Sequence, residues 1–549
     1  MSMTSSVSFR FLPPVLAAVL LSSFLPSPSR PDQTPTRRPN ILFIMSDDHA
    51  WQAISAYNDL LIQTPNIDRI AREGMRFNNA CVTNSICAPS RATILTGKHA
   101  HIHGKIDNMM PFDTSNLTFP QLFQQAGYQT AMFGKLHFGN HPKGVDDFMI
   151  LPGQGNYINP TFLTPQGDTT LTGYVTDLIT DLTLDWLKHK RDPQQPFLMM
   201  YLHKAPHRPW WPRPDKFAAF TKMTFPEPPT LFDDYANRGS AAKSAEMNLL
   251  RHMQYGHDSK IRPETLAEMN GTALPDIPNS FPDGFYGSYL RANTEQDAAY
   301  KPVLDSINNW FSHHWPHLDD TEKMRWKYQR YMQDYLGCIS SVDDNVGRVL
   351  DYLDETGLSE NTIVIYTSDQ GFYLGEHGWY DKRFIYDESF KTPLLIRWPH
   401  VIQPGTTNEQ MVQNLDFAQT FLDAAGITAP DDMQGESLMP LLTGQADQWT
   451  REAVYYHYYE YPAVHMVKRH YGIVTTDYKL VHFYDDIDEW ELYDRKNDPR
   501  ELRNVFADPA YADTVHRLQQ QLDSLRIQYK DSPELDQKFI DLYYQNGFR

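Results

Sequence analysis

Cysteine is nearly absent: Cys81, Cys87 and Cys338 are the three in 549 residues. Three thiols build no disulfide framework, so stability has to come from an apolar core. Cys81 and Cys338 read as buried reduced thiols, with a single 81–338 bridge as the alternative. Positive charge is short too. Lys and Arg number 49 against 68 Asp and Glu, a formal net charge of −19. That balance argues against nucleic acid as a partner, and any anionic ligand must then meet a local basic pocket. Beyond the apolar run ending at Leu25, no segment is long enough to span a bilayer, so no stable membrane association is expected. There is no internal repeat, and no P-loop or dinucleotide-binding glycine fingerprint in a strand–helix setting. What is present is a globular composition, 41 % hydrophobic and 13 % aromatic. The length suits one large and one smaller domain.

The N-terminus carries its own signal. Arg10 precedes the apolar run Phe11–Leu25, and a polar Ser/Pro/Arg stretch follows. Residues 1–28 read as a secretory signal peptide and 29–38 as a linker. No Cys follows the apolar run to accept a lipid. The protein is therefore expected to be exported, to the periplasm or beyond. Asn116 and Asn270 lie in N-x-T sequons, which matter only where the source glycosylates proteins.

Five stretches carry chemistry. The continuous apolar run Asn40–Met45 reads as a buried parallel strand. It ends in Ser46-Asp47-Asp48-His49, and adjacent acids at the carboxyl end of a core strand fit either a divalent cation with oxygen ligands or a solvated acidic turn. Cys87-Ala88-Pro89-Ser90-Arg91 runs on to Thr96-Gly97. Pro89 and Ser90 read as a tight turn into a helix, which places residue 87 at a helix N-terminus that favours an anion; a structural Cys before a helix is the plain alternative. Gly134-Lys135-Leu136-His137-Phe138-Gly139 follows a strand at 128–133 and brings a Lys and a His to one centre, unless they are a surface Lys and a capping His. The strand 196–202 delivers His203-Lys204-Ala205-Pro206-His207-Arg208-Pro209. The strand 361–367 ends in Ser368-Asp369-Gln370-Gly371, followed by Leu374-Gly375-Glu376-His377-Gly378 and Lys382.

Other segments are less pointed. His99, His101 and His103 read as a loop, with a transition-metal site as the alternative. Asp107 and Asn108 are candidates to face a substrate, as is Arg208. Helices are expected at 119–127, 174–190, 322–357 and 413–426 from apolar spacing. Residues 210 to about 320, rich in Pro, Asn, Asp and aromatics, read as long surface loops around a cleft. From about 430 short strands dominate, then a terminal helix at 510–528. His465, Lys468, Arg469 and His470 form a basic cluster, read either as a substrate-recognising edge or as a solvated strand end.

Together these stretches resemble the formylglycine-dependent (type I) sulfatases of the alkaline phosphatase-like superfamily, over about residues 38–507. The bacterial carbohydrate sulfatases that act on N-acetylglucosamine-6-sulfate or on algal polysaccharides are the most similar kinds. The resemblance implies an α/β fold, a mixed, mainly parallel sheet flanked by helices with a smaller C-terminal antiparallel sheet plus helix. It implies a catalytic domain at 39–428 and a C-terminal subdomain at 429–549. It further implies that Cys87 is converted to formylglycine (3-oxoalanine) by a formylglycine-generating or anaerobic sulfatase-maturating enzyme. Asp47, Asp48, Asp369, Gln370 and residue 87 would hold Ca2+, with Mg2+ as the alternative. Gln370 departs from the commoner Asn or His and is one methylene longer than Asn. Arg91, Lys135, His137, His207 and Lys382 would be catalytic, and His465 and Arg469 would join Asp107, Asn108 and Arg208 at the sulfated carbohydrate. Two alternatives remain, a phosphonate or phosphate ester hydrolase of the same superfamily and a non-catalytic exported glycan-binding protein.

Overall fold

The computed structural model describes residues 1–3, 38–269 and 286–545. Residues 4–28 of the expected signal peptide, the linker up to residue 37 and the Asn270 sequon lie outside the described residues. Among the described residues the sixteen strands are β1 (Asn40–Ser46), β2 (Met75–Phe77), β3 (Ala80–Cys81), β4 (Gln129–Lys135), β5 (Asp147–Leu151), β6 (Thr161–Thr164), β7 (Gly167–Thr170), β8 (Phe197–Leu202), β9 (Thr362–Ser368), β10 (Leu394–Arg397), β11 (Thr406–Asn408), β12 (Val412–Gln413), β13 (Ala453–Tyr458), β14 (His470–Thr475), β15 (Tyr478–Phe483) and β16 (Glu489–Asp494).

β1 lies at the centre of a ten-stranded sheet of order β11-β2-β10-β9-β1-β8-β4-β5-β6-β7. All seven of its residues are buried, as a parallel strand covered on both faces requires. It runs parallel to β8 and β9, and β4 runs parallel to β8 and β5. The antiparallel pairings lie away from the centre, where β10 meets β9 and β2, where β5 meets β6, and in the hairpin β6–β7. Alternate β1 side chains serve opposite cores. Leu42 and Ile44 pack with Tyr331, Tyr335 and Val342 of the long helix Asp320–Glu355. Ile41, Phe43 and Met45 pack with Phe417 and Phe421 of the helix Phe417–Ala424.

The long helix starts at a reciprocal cap between Asp319 and Glu322, and buries Cys338 in its apolar face. All three cysteines are free and buried, so no 81–338 bridge forms. The region 210–320 corrects the surface-loop reading. It holds the helix Pro214–Phe220, several shorter ones and the 21-residue helix Thr294–His314, which buries Tyr300, Leu304, Ile307 and Phe311. A cap between Asn293 and Gln296 starts that last helix, and Pro302 sits inside it. Trp210 and Trp211 are fully buried, so these two aromatics are core residues.

β13–β16 form a separate antiparallel sheet in sequence order. Leu518 and Leu522 of the helix Ala512–Gln528 pack on its Tyr455, Ile473, Leu480 and Leu492, and Leu415 joins the same cluster. A further helix, Pro533–Gln545, follows and was not expected. The His99–His103 segment is helical from Ala100 to His103. His101 bonds the Tyr529 carbonyl and His103 bonds Thr93 Oγ1, so these imidazoles serve packing rather than a metal. Among the described residues no helix is long and apolar enough to cross a membrane.

Candidate active site

Neighbouring strands end at one level. Ser46 of β1 is paired with Ser368 of β9, so Asp47-Asp48 and Asp369-Gln370 leave the sheet side by side, where open α/β sheets place their ligands. On the other side of β1, His203 donates its N–H to the Met45 carbonyl at 2.8 Å and starts the turn that carries His207. β4 contributes Lys135 as its last residue. The helix Cys87–Thr96 begins at residue 87 and is buried throughout, with Gly97 closing it in the left-handed region. Its N-terminus therefore stands at the strand ends, as its Pro-Ser start implies.

The charged groups interlock. Lys382 Nζ lies 2.6 Å from both Asp48 carboxylate oxygens. Lys135 Nζ donates to Asp47 Oδ2 and to Gln154 Oε1. Arg91 donates through Nε to Asp369 Oδ2 at 2.9 Å and through Nη1 to the Lys135 carbonyl, and its Nη2 is 3.4 Å from Asp47 Oδ1. Gln370 Nε2 donates to Asp48 Oδ1 and is 3.7 Å from Cys87 Sγ. His207 Nε2 is 3.8 Å from Asp48 Oδ2. Asp48 and His137 have left-handed backbones, φ 66° and 69°, a conformation that non-glycine residues hold where surrounding contacts impose it.

Burial sets the electrostatics. It pushes Asp48 up to about 6 against the pull of Lys382, and Asp369 up to about 7, with the Asp47 charge adding to the rise. Asp47 goes the other way: burial raises it, but Lys135, His207, Arg91 and Lys382 together hold it well below the usual carboxylate range. Burial raises the Cys87 thiol, and Asp47 adds to the effect. A thiolate nucleophile is thereby disfavoured. His207 and His137 are both lowered, chiefly by burial and then by Lys135.

The donor set fits a divalent cation. Asp47, Asp48, Cys87 and His207 place ligand atoms within 4.8 Å of one another. Asp47 Oδ1 and Gln370 Oε1 are buried without a hydrogen-bond partner, and buried polar atoms are seldom left so. Turning the Gln370 amide over would direct its carbonyl oxygen at the Asp48 and Cys87 side; amide orientation is assigned from partners, and a cation would reverse the choice. Hard oxygen donors of this kind suit Ca2+ or Mg2+.

The remaining candidates separate. Asn108 Oδ1 accepts the Ala88 N–H at 3.0 Å, next to residue 87. Asp107 accepts the N–H groups of Met109 and Met110, closing a turn. Arg208 makes a two-pronged ion pair with Asp258 at 2.6 and 2.7 Å. His465 Nε2 is 3.3 Å from Asp381 Oδ2, beside Lys382. Arg469 is tied to the Tyr459 carbonyl and to Asp485, and Lys468 to Asp486, so the 465–470 residues do not act as one basic face. The sequence reading missed Gln154, Asp381, Arg383 and Glu460. Gln154 had a signal, being flanked by Gly153 and Gly155, both at positive φ. Asp381 and Arg383 flank a lysine already singled out. Glu460 had none.

Comparison with known proteins decides the family. The profile described as Sulfatase matches residues 39–427, and the profile described as N-sulphoglucosamine sulphohydrolase, C-terminal, matches 375–528. The chain belongs to the sulfatase family. As a sulfatase it is a sulfuric ester hydrolase. It is similar to an N-acetylglucosamine-6-O-sulfatase of Bacteroides thetaiotaomicron, 47 % identical over 540 residues, covering 96 % of this chain and 92 % of the relative. The human N-acetylglucosamine-6-sulfatase is 27 % identical over 450 residues, 77 % of this chain and 68 % of that one. A solved sulfatase-fold structure, in complex with its substrate D-glucosamine-2-N,6-O-disulfate, superposes with a TM-score of 0.85 at 46 % identity, covering 91 % of this chain and 100 % of that one.

Proposed function

We propose that this sulfatase removes a sulfate ester from O6 of a glucosamine-type sugar, through residue 87 in its formylglycine form. The observation that supports the reaction is the meeting of residue 87 with three carboxylates and the cations Arg91, Lys135 and Lys382 in one buried site. The sugar follows from the 47 % identity to the N-acetylglucosamine-6-O-sulfatase. Asp47, Asp48, Asp369, Gln370 and residue 87 would hold Ca2+, with Mg2+ as the alternative. Such a cation supplies a Lewis acid for a sulfate oxygen and for the charge that develops there. The aldehyde supplies two geminal hydroxyls when hydrated, one to attack sulfur and one to expel sulfate.

The chain's own residues do the rest. Lys135, Lys382 and Arg91 would bind sulfate oxygens and offset the developing charge, and they are already fixed before substrate arrives. Lys382 Nζ lies on Asp48, so a bound cation would compete with the lysine for that carboxylate and leave the ammonium to the sulfate. His207 is lowered by burial and by Lys135; the negative charge of a bound sulfate would raise it again, and His207, with Lys382 beside it, would then give a proton to the departing sugar oxygen. His137, whose Nδ1 is buried without a partner, would take the proton of the second hydroxyl. Asn108, Arg208, His465 and Arg469 are proposed around the sugar, and of these His465 is paired with Asp381, the chain neighbour of Lys382. Export through residues 1–28, maturation by a formylglycine-forming enzyme and a domain boundary at 428/429 belong to the same proposal. The test is sulfate release from N-acetylglucosamine-6-sulfate by protein co-produced with a maturating enzyme, beside a phosphate ester and beside Cys87→Ala. Sulfate released by the parent alone supports the reading. Turnover of the phosphate ester alone, or full activity in Cys87→Ala, refutes it.

A further inference from the structure

Helix starts leave their first N–H groups without partners inside the helix. In the Cys87 helix the Ala88 N–H is taken by Asn108 Oδ1. Asn108 is fixed in turn, since its own N–H donates to Glu460 Oε2 at 3.0 Å. The other oxygen of the same carboxylate, Oε1, accepts from Arg383 Nη1 at 2.8 Å. Arg383 Nε reaches Asp381 Oδ1 at 3.0 Å, and that oxygen also accepts the Lys382 N–H at 2.9 Å. Glu460 is 5 % exposed, and both its oxygens are used. It comes just after β13 of the four-stranded sheet, yet it stands between the start of the Cys87 helix and the loop that carries Lys382. That loop is held in an uncommon shape, with Asp381 at φ 77° and Arg383 at φ 103°. Residues keep such conformations when the surroundings over-determine them.

We propose that Glu460 is a positioning residue for sulfate ester hydrolysis, setting the separation of residue 87 from Lys382 through Asn108 on one side and Arg383 on the other. The inference rests on the reading that residue 87 carries the nucleophile and Lys382 contacts the sulfate. On this account the four-stranded sheet is part of the catalytic apparatus, because it supplies the carboxylate that joins two loops of the larger sheet. Only a carboxylate serves both partners, each of which is a donor. The amide of Glu460→Gln has one acceptor oxygen, so either Asn108 or Arg383 faces an N–H group instead. Displacement at sulfur depends on placement, and an error of about 1 Å costs about 100-fold.

The experiment uses the full-length matured protein and three variants, Glu460→Gln, Asn108→Ala and the double substitution. Aldehyde content at residue 87 is measured by mass spectrometry for each, and rates are expressed per aldehyde-bearing molecule. Glu460→Gln is expected to lower kcat about 100-fold with KM within about threefold. Asn108→Ala is expected to lower kcat as well, and the double variant to lose much less than the product of the two losses, because both act through one relay. Hydrogen exchange gives a readout without turnover: the amides of Ala88 and Asn108 should exchange faster in Glu460→Gln, matured or not. Parental kcat in Glu460→Gln, losses that multiply in the double variant, or unchanged protection of Ala88 would each overturn the proposal. If the parent releases no sulfate, the functional reading fails while the exchange result still judges the relay. If Glu460→Gln does not fold, the exchange of Asn108→Ala decides the Ala88 link: unchanged protection there overturns the proposal.

Discussion

Replacing Arg91 by lysine keeps the charge and tests the geometry. The guanidinium meets three groups, Asp369 Oδ2, the Lys135 carbonyl and Asp47 Oδ1. It is 1 % exposed, so solvent offers no substitute partner. A lysine ammonium from the same backbone position reaches one of the three well and carries no planar fork. One charge-assisted hydrogen bond is then lost, worth about 1.5–3 kcal/mol, together with the 3.4 Å ion contact to Asp47. Arg91→Lys should therefore be destabilised by about 1.5–3 kcal/mol. The activity loss should be about 100- to 1,000-fold, as for removal of a fixed group that stabilises transition-state charge. Urea denaturation of parent and variant, with and without Ca2+, reads the first quantity, and sulfate release per aldehyde-bearing molecule reads the second. A variant with the parental midpoint and parental kcat would refute the claim that Arg91 ties the two halves of the carboxylate cluster together.

Three further outcomes follow from particular contacts. Added Ca2+ should raise the unfolding midpoint, by about 2.7 kcal/mol at a hundred times its dissociation constant, and Asp48→Asn should abolish most of that rise; chelation with EGTA should stop sulfate release. Asp531 is raised by burial but lowered more by the His457 charge and hydrogen bond, with His101 and Tyr455 assisting, so its folded pKa lies below the usual range. Its contribution is then present above the unfolded value of about 3.9 and is lost as the pH falls through the folded value; acid titration of His457→Gln by circular dichroism should show unfolding at a higher pH than the parent. Leu522→Ala, at a side chain 1 % exposed between the helix and the four-stranded sheet, should cost about 2–5 kcal/mol by urea denaturation, and a parental midpoint would contradict the packing described.

Local pattern explains what was legible before the structure. The unbroken apolar run of β1 reads as a strand buried on both faces, and the acids that follow it then sit at a strand end. The Pro-Ser step after residue 87 reads as a helix start from backbone chemistry alone. The long helix was readable because its tyrosines and valines keep a 3.6-residue period for ten turns, and the expected 322–357 lies within two residues of the observed Asp320–Glu355. Residues 294–314 hid their period behind Pro302 and a polar majority, so their helix read as loop. Glu460 was invisible for a different reason. Its importance comes from two partners distant in the chain, Asn108 and Arg383, and no local rule connects them. Asn108 and His465 were expected at the substrate, and the structure gives each a protein partner. Arg208 is paired just as firmly with Asp258, which sequence spacing does not disclose.

The most direct test of the central claim is inorganic sulfate released from N-acetylglucosamine-6-sulfate by the matured protein, with the mass of the residue-87 peptide determined on the same sample. The account predicts sulfate in proportion to the fraction of chains carrying the aldehyde at residue 87, and none from Cys87→Ala. Sulfate release that is independent of that fraction, or none from a fully converted sample that instead hydrolyses a phosphate ester, would contradict it.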